Sequence, residues 1–166
     1  MGSHSSFGIN LHSKPPIPKD TQFAISLSPE SLVLSGLNMV AVISTATVNR
    51  PPNDLNVMQS AQVVAHFDTG ATKTSIDIEL AKKLSLIPTG QSPIHTAAGL
   101  INAANFVIDL GFPGTSLKPF QNLQISSCQL SDSSRAVQFE LLIGRDVMSR
   151  WNVVWNEPSS TVFIND

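Results

Sequence analysis

The stretch Val63-Val64-Ala65-His66-Phe67-Asp68-Thr69-Gly70-Ala71 constrains this chain more than any other, because an apolar, β-branched run stops abruptly on an acid, a hydroxyl, a glycine and an alanine. Such a run forms a strand with at least one face in a core. A carboxylate at its mouth, followed by a residue that permits a tight turn, is held in one place beside a low-dielectric interior. Asp68 is therefore the first candidate for chemistry. The competing reading is a strand-end turn or a helix-capping aspartate.

The rest of the chain repeats the same short β-rich units. Phe23, Ile25 and Leu27 alternate with Ala24, Ser26 and Ser28 until Pro29 ends the pattern. Residues 32–34 and 39–48 supply further β-rich runs around a break at Gly36, and the Pro-rich segment 50–54 makes a loop before the strand into Asp68. One helix is convincing. Asp77 can cap it, Glu79 sits in the first turn, Lys82 and Lys83 complement the macrodipole at its end, and Ile76, Leu80, Ala81 and Leu84 give it one buried face. Pro88 and Gly90 then stop the pattern.

Residues 92–110 read as a hairpin whose small-residue tip is Ala97-Ala98-Gly99. Residues 111–119 are a Gly/Pro-rich loop, 123–125 a strand, 131–135 a polar turn, and 139–143 a buried strand that Gly144 breaks. Residues 146–151 make a second short helix, and Trp151 and Trp155 lead to a terminal strand over 161–164. The pattern predicts an all-β fold with one or two short helices. Residues 1–20, rich in Ser, His and Pro, read as a tag-like or flexible N-terminal tail, and residues 21–166 as one domain.

Composition narrows the function. A hydrophobic content of 42% with 13% charged residues supports a real core. The net charge of −2, with Lys and Arg scattered, leaves no basic surplus for phosphate backbones, so nucleic acid is not an expected partner. A single cysteine, Cys128, excludes an intrachain disulfide and reads as a buried small residue rather than a thiol nucleophile. His4, His12, His66 and His95 form no His-x-x-x-His pair and there is no Cys-x-x-Cys, so neither a metal nor a cofactor is expected. His66 shares strand parity with Asp68, and reads as a half-buried core or interface residue. The most apolar stretch, 32–48, is interrupted by Ser35, Gly36, Asn38, Ser44 and Thr45, short of the roughly 18 apolar residues of a membrane span. Without a basic leader it does not read as a signal peptide either. No Gly-x-Ser-x-Gly or phosphate-cradling loop supports another enzyme class.

Taken in order, the strand into Asp68-Thr69-Gly70-Ala71, the hairpin within 94–110 and the run Leu142-Ile143-Gly144-Arg145-Asp146 resemble the retropepsin-type aspartic peptidases, the half-sized relatives of pepsin, from Val63 to Phe163. The resemblance implies a retropepsin-like acid-protease half-barrel, active as a C2 homodimer. Asp68 would be catalytic, Thr69 would hydrogen-bond across the dimer axis, Gly70 would let its N–H approach Asp68, and Ala71 would keep the loop slim. Leu142, Ile143 and Gly144 would pack beneath that loop, while Ala97, Ala98, Gly99 and Leu100 would form a flap over a peptide substrate.

The physical chemistry of the pair agrees, since two carboxylates sharing one proton are needed and the chain holds a single Asp-Thr-Gly. A two-fold axis supplies the second copy. The expected function is an aspartic endopeptidase that hydrolyses peptide bonds with a water activated between two Asp68 carboxylates. The alternatives are a non-catalytic dimeric peptide-binding module of the same fold and a retroelement polyprotein-processing protease.

The chain has no tyrosine, so the flap lacks the one familiar from pepsin, as many retropepsin-like chains do. One departure makes it resemble cellular and bacterial members more than viral ones: Thr72 stands where retroviral relatives carry an acid that pairs with the arginine after the later glycine. Arg145 is then expected to find a backbone carbonyl or a carboxylate across the interface.

Overall fold

The described residues form two sheets, a small one that pairs an early strand with the last two and a large one that closes on itself. The computed structural model describes residues 23–26, 28, 35–46, 59–96, 99–132, 134, 137–156 and 160–166. The expected tail (1–20), the run 32–34, the loop 50–54 and two tip residues of the expected flap, Ala97 and Ala98, lie outside the described residues. In chain order the elements are β1 (Phe23–Ser26), β2 (Asn38–Thr45), β3 (Ser60–Phe67), β4 (Ser75–Asp77), α1 (Ile78–Lys83), β5 (Gly90–Thr96), β6 (Gly99–Gly111), β7 (Phe120–Cys128), β8 (Leu141–Ile143), α2 (Arg145–Met148), β9 (Asn152–Asn156) and β10 (Thr161–Asn165).

The large sheet runs β2-β3-β8-β4-β7-β6-β5, and a further antiparallel pairing of β2 with β6 joins Val42–Thr45 to Ile108–Gly111. That pairing closes six strands into a barrel, which removes the open edges of the ring and leaves β5 outside it, held only by β6. Pro93 is tolerated in β5 because an outer strand has one side that owes no hydrogen bond to a neighbour. Alternation along the ring strands fills the interior: Ala41, Ile43, Ala65, Ile108, Leu110, Leu141 and Ile143 are all fully buried. An aromatic group closes one side, with Trp151 packed on Phe67, Phe112 and Phe120 at ring-centroid distances of 6.1, 5.0 and 5.5 Å.

The small sheet has the order β1-β10-β9, all antiparallel. The last strand is therefore the middle one, flanked on both edges by its own chain. Strand β9 is an addition to the sequence reading, which passed through Trp155 without assigning a strand. So is β4, whose three residues pair in parallel with β7 and antiparallel with β8. Strand β7 also outruns its expected limits, because Ser126 and Ser127 continue it as buried polar residues. Their hydroxyls are satisfied there: Ser126 Oγ donates to Asn105 Oδ1 (3.1 Å) and Ser127 Oγ accepts the Ala104 N–H (3.1 Å). No helix among the described residues is long and apolar enough to cross a membrane.

Candidate active site

Asp68 follows the last residue of β3, and the backbone around it is tied down at each step. Phe67 N–H donates to Leu37 O (2.9 Å), Asp68 N–H to Ile143 O (3.1 Å), and Ala71 N–H back to Asp68 O (3.1 Å). The Asp68 side chain takes part in its own turn, Oδ1 accepting the Gly70 N–H at 2.8 Å. A Cβ on Gly70 would stand 3.0 Å from that oxygen, closer than nearly all real Cβ contacts, so the glycine keeps the approach open. The turn reading and the chemical reading of Asp68 thus describe one geometry, with one oxygen held by the backbone and the carboxylate half-buried between exposed Thr69 and Gly70 and the apolar strand end.

The second half of the chain braces this loop. β8 runs parallel to β3 with Phe67 opposite Ile143, so the turn after β8 lies beside the turn after β3. Arg145 N–H donates to Ala71 O (2.9 Å) and Asp146 N–H to Thr72 O (3.3 Å). Gly144 allows the contact: a Cβ there would lie 2.5 Å from the Lys73 carbonyl carbon and 2.8 Å from Thr74 N. Arg145 Nη2 donates to Thr72 Oγ1 at 3.0 Å, so within the chain its bond is to a side-chain hydroxyl rather than to the backbone carbonyl that was one of the two expectations. Its partner is the hydroxyl standing at the very position where an acid was missed.

The sequence reading did not find the strongest brace. Thr74 is fully buried, and the Asp146 carboxylate accepts its N–H (2.9 and 3.1 Å) and its hydroxyl (2.7 Å), while Thr74 Oγ1 in turn accepts the Gly144 N–H (3.1 Å). The only local trace of this in the sequence is an acid at the start of a short helix, where Asp146 also accepts the Val147 N–H (2.9 Å).

Asp77 caps α1 as expected, accepting from Glu79 N–H and Leu80 N–H, but it is buried and does more. Its second oxygen accepts the Leu130 N–H, the Ser131 N–H and the Ser131 hydroxyl at 2.8–3.0 Å. Burial pushes this carboxyl up, yet the donors from Ser131, Leu130 and Glu79 outweigh it and hold it below the ordinary aspartate value of 3.8.

His66, also within this strand, stacks on Phe139 at 4.6 Å and lies against Gly36, where a Cβ would meet its ring at 2.7 Å. Asn38 Nδ2 donates to Ser35 O, and Asn38 Oδ1 lies within hydrogen-bond distance of His66 Nδ1, at 3.0 Å. Cys128 is half-buried rather than buried.

The structure thus brings Asp68, Thr69, Gly70 and Ala71 into one loop and places Gly99 and Leu100 on a different element, the β5–β6 hairpin. Gly99 takes a φ of +113° at the hairpin end, and Leu100 and Ile101 expose 62% and 40% of their surface.

Solved structures that align with the chain include two retropepsin-type folds. One is a retropepsin-like aspartic protease from Rickettsia conorii, at 18% identity and a TM-score of 0.47, over 86% of this chain and 97% of that one. The other is the retroviral protease-like domain of Ddi1 from Leishmania major, at 14% identity and a TM-score of 0.41, over 78% of this chain and 90% of that one. A search of curated proteins gives no match. The sequence profile of the family described as "Aspartyl protease" matches residues 54–147, more than half of the chain and the whole span from the strand into Asp68 to the Gly144 turn, so this chain belongs to the aspartyl protease family.

Proposed function

We propose that the protein is an aspartic endopeptidase whose working unit is a homodimer, each subunit supplying one Asp68. The observation that carries this is the Asp68 loop: a half-buried carboxylate with one oxygen held by Gly70 N–H, on a loop fixed from two sides, occurring once per chain. Two such carboxylates facing each other share one proton, because a second negative charge beside the first is strongly disfavoured. The ionised Asp68 takes a proton from a water, whose oxygen attacks the peptide carbonyl carbon. The protonated Asp68 donates to the carbonyl oxygen, giving a tetrahedral diol. Collapse of the diol returns a proton to the departing amide nitrogen, and the C–N bond breaks without a covalent enzyme intermediate.

The β5–β6 hairpin suits a cover for the bound peptide, with Leu100 and Ile101 offering apolar surface. The small sheet limits how a second copy can add to it: β10 already has β1 and β9 on its two edges, so a continued sheet must start from the outer edge of β1 or β9. Asp68→Asn keeps the size of the side chain and removes the base. It should abolish hydrolysis of apolar-centred peptides while the circular dichroism spectrum and sedimentation coefficient stay those of the wild type. Undiminished hydrolysis by Asp68→Asn would overturn the proposal.

A further inference from the structure

The inference rests on the peptidase reading and concerns what that site prefers. Arg145 is exposed and permanently charged, and among the described residues the one side chain it bonds is the neutral Thr72 hydroxyl, with no described carboxylate within ion-pair distance. Lys73, next to Thr72, is a second exposed cation without a carboxylate partner among the described residues, and its carbonyl carbon would lie 2.5 Å from a Cβ on Gly144. Two positive charges without a carboxylate partner among the described residues therefore rise from abutting backbone, Lys73 from the loop that begins at Asp68 and Arg145 from the turn after β8.

Apart from Asp68 itself, the acids among the described residues do not answer them. Among the described residues, Asp77, Asp109, Asp132, Glu140 and Asp146 are engaged by backbone N–H groups of their own chain, and Glu79 and Asp166 are paired with Lys82 and Lys118. A symmetry-related copy carries the same acids in the same bonds, so a two-fold axis brings no idle carboxylate from these positions to Arg145. An extended peptide lying across Asp68 does bring one whenever its sequence contains an acid at the right place. Thr72 lies four positions after Asp68, a reach of at most about 14 Å, which an extended peptide covers in about four residues.

We propose that Arg145 is a specificity-determining residue that selects peptides with an acidic side chain within about four residues of the scissile bond. A guanidinium presents a planar set of donors to a carboxylate, and the Thr72 bond engages one of its nitrogens, the others having no bond among the described residues. At an exposed site such a pair supports about a fivefold preference, weakened by salt.

The test uses one apolar-centred peptide with Glu placed in turn at each of the four positions on either side of the scissile bond, each paired with its Gln isostere. Binding is measured by fluorescence anisotropy on full-length Asp68→Asn, and cleavage on the wild type. At one or more positions the Glu peptide should bind about fivefold tighter than its Gln partner at low salt. The ratio should fall to about one in Asp68→Asn/Arg145→Gln, persist in Asp68→Asn/Arg145→Lys, and shrink at high salt. Equal binding at every position, or a ratio that survives Arg145→Gln, overturns the inference. So does a dimer weakened by Arg145→Gln without any Glu preference, which would assign the guanidinium to the partner subunit. A Glu preference in binding with no cleavage by the wild type leaves Arg145 as a selector and removes the peptidase; cleavage without preference does the reverse.

Discussion

Removing the Asp146 carboxylate tests whether the loop that carries Asp68 is held by one buried link between distant parts of the chain. In Asp146→Ala the N–H and hydroxyl of fully buried Thr74 lose their acceptor, bonds of 2.9 and 2.7 Å. An unsatisfied buried donor costs about 1–3 kcal/mol, and two of them, partly relieved by relaxation, give a loss of about 3–5 kcal/mol. Val147 N–H adds little because it also reaches Gly144 O (3.2 Å). Against a typical total of about 5–15 kcal/mol, this is a large share. Urea denaturation followed by the fluorescence of buried Trp151 measures it. Asp146→Asn keeps an acceptor for Thr74 and should lose about 1 kcal/mol. Thr74→Val removes the hydroxyl donor, so Asp146→Ala/Thr74→Val should fall short of additivity by about 1–2 kcal/mol. A loss under about 1 kcal/mol for Asp146→Ala, or strict additivity in the double variant, would refute the brace.

Other outcomes follow from the same geometry. Because the folded state holds Asp77 below its ordinary value of 3.8, its contribution is present above that value and is lost as pH falls through the folded one. Acid unfolding curves should therefore steepen below about pH 4 in the wild type and flatten there in Asp77→Asn, and parallel curves would remove Asp77 as a source of acid sensitivity. Gly144→Ala forces a Cβ into the backbone of Lys73 and Thr74 and should lower stability by about 2–3 kcal/mol, with a larger proportional loss in kcat than in KM; an unchanged Tm would show that the two turns do not abut. Gly36→Ala meets both a φ of +66° and the His66 ring, and should cost about 1–3 kcal/mol, whereas a neutral result would mean that the loop before β2 shifts freely.

Much of this was legible in the chain because the signals were local. The period-2 run into Asp68, the hairpin arms around Gly99 and the Asp77 cap of α1 each depend on neighbours a few residues apart. The brace was not legible, since Thr74 and Asp146 lie 72 positions apart and neither residue type announces a partner at that distance. The second oxygen of Asp77 was hidden for the same reason, its donors at Leu130 and Ser131 lying 53 and 54 positions away. Strands β4 and β9 are too short for a periodicity to register, and β9 carries Asn at both ends and an exposed Trp155, so only its pairing with β10 defines it. Ser126 and Ser127 looked like the end of a strand because buried hydroxyls read as loop until the groups that satisfy them are known. Arg145 was expected to find a backbone carbonyl or a carboxylate across the interface, and within the chain it bonds the hydroxyl of the residue whose neutrality raised the question.

The claim that one Asp68 from each of two subunits makes one site is tested most directly by subunit mixing. Wild-type protein and Asp68→Asn are equilibrated at fixed total concentration, and initial rates are measured as the wild-type fraction falls. If the carboxylates work as a pair, only wild-type homodimers hydrolyse peptide, the rate follows the square of the wild-type fraction, and an equal mixture gives about one quarter of the wild-type rate. A rate that falls in simple proportion, to about one half at equal mixing, with exchange of subunits shown by sedimentation, would mean that each Asp68 acts alone and would contradict the account.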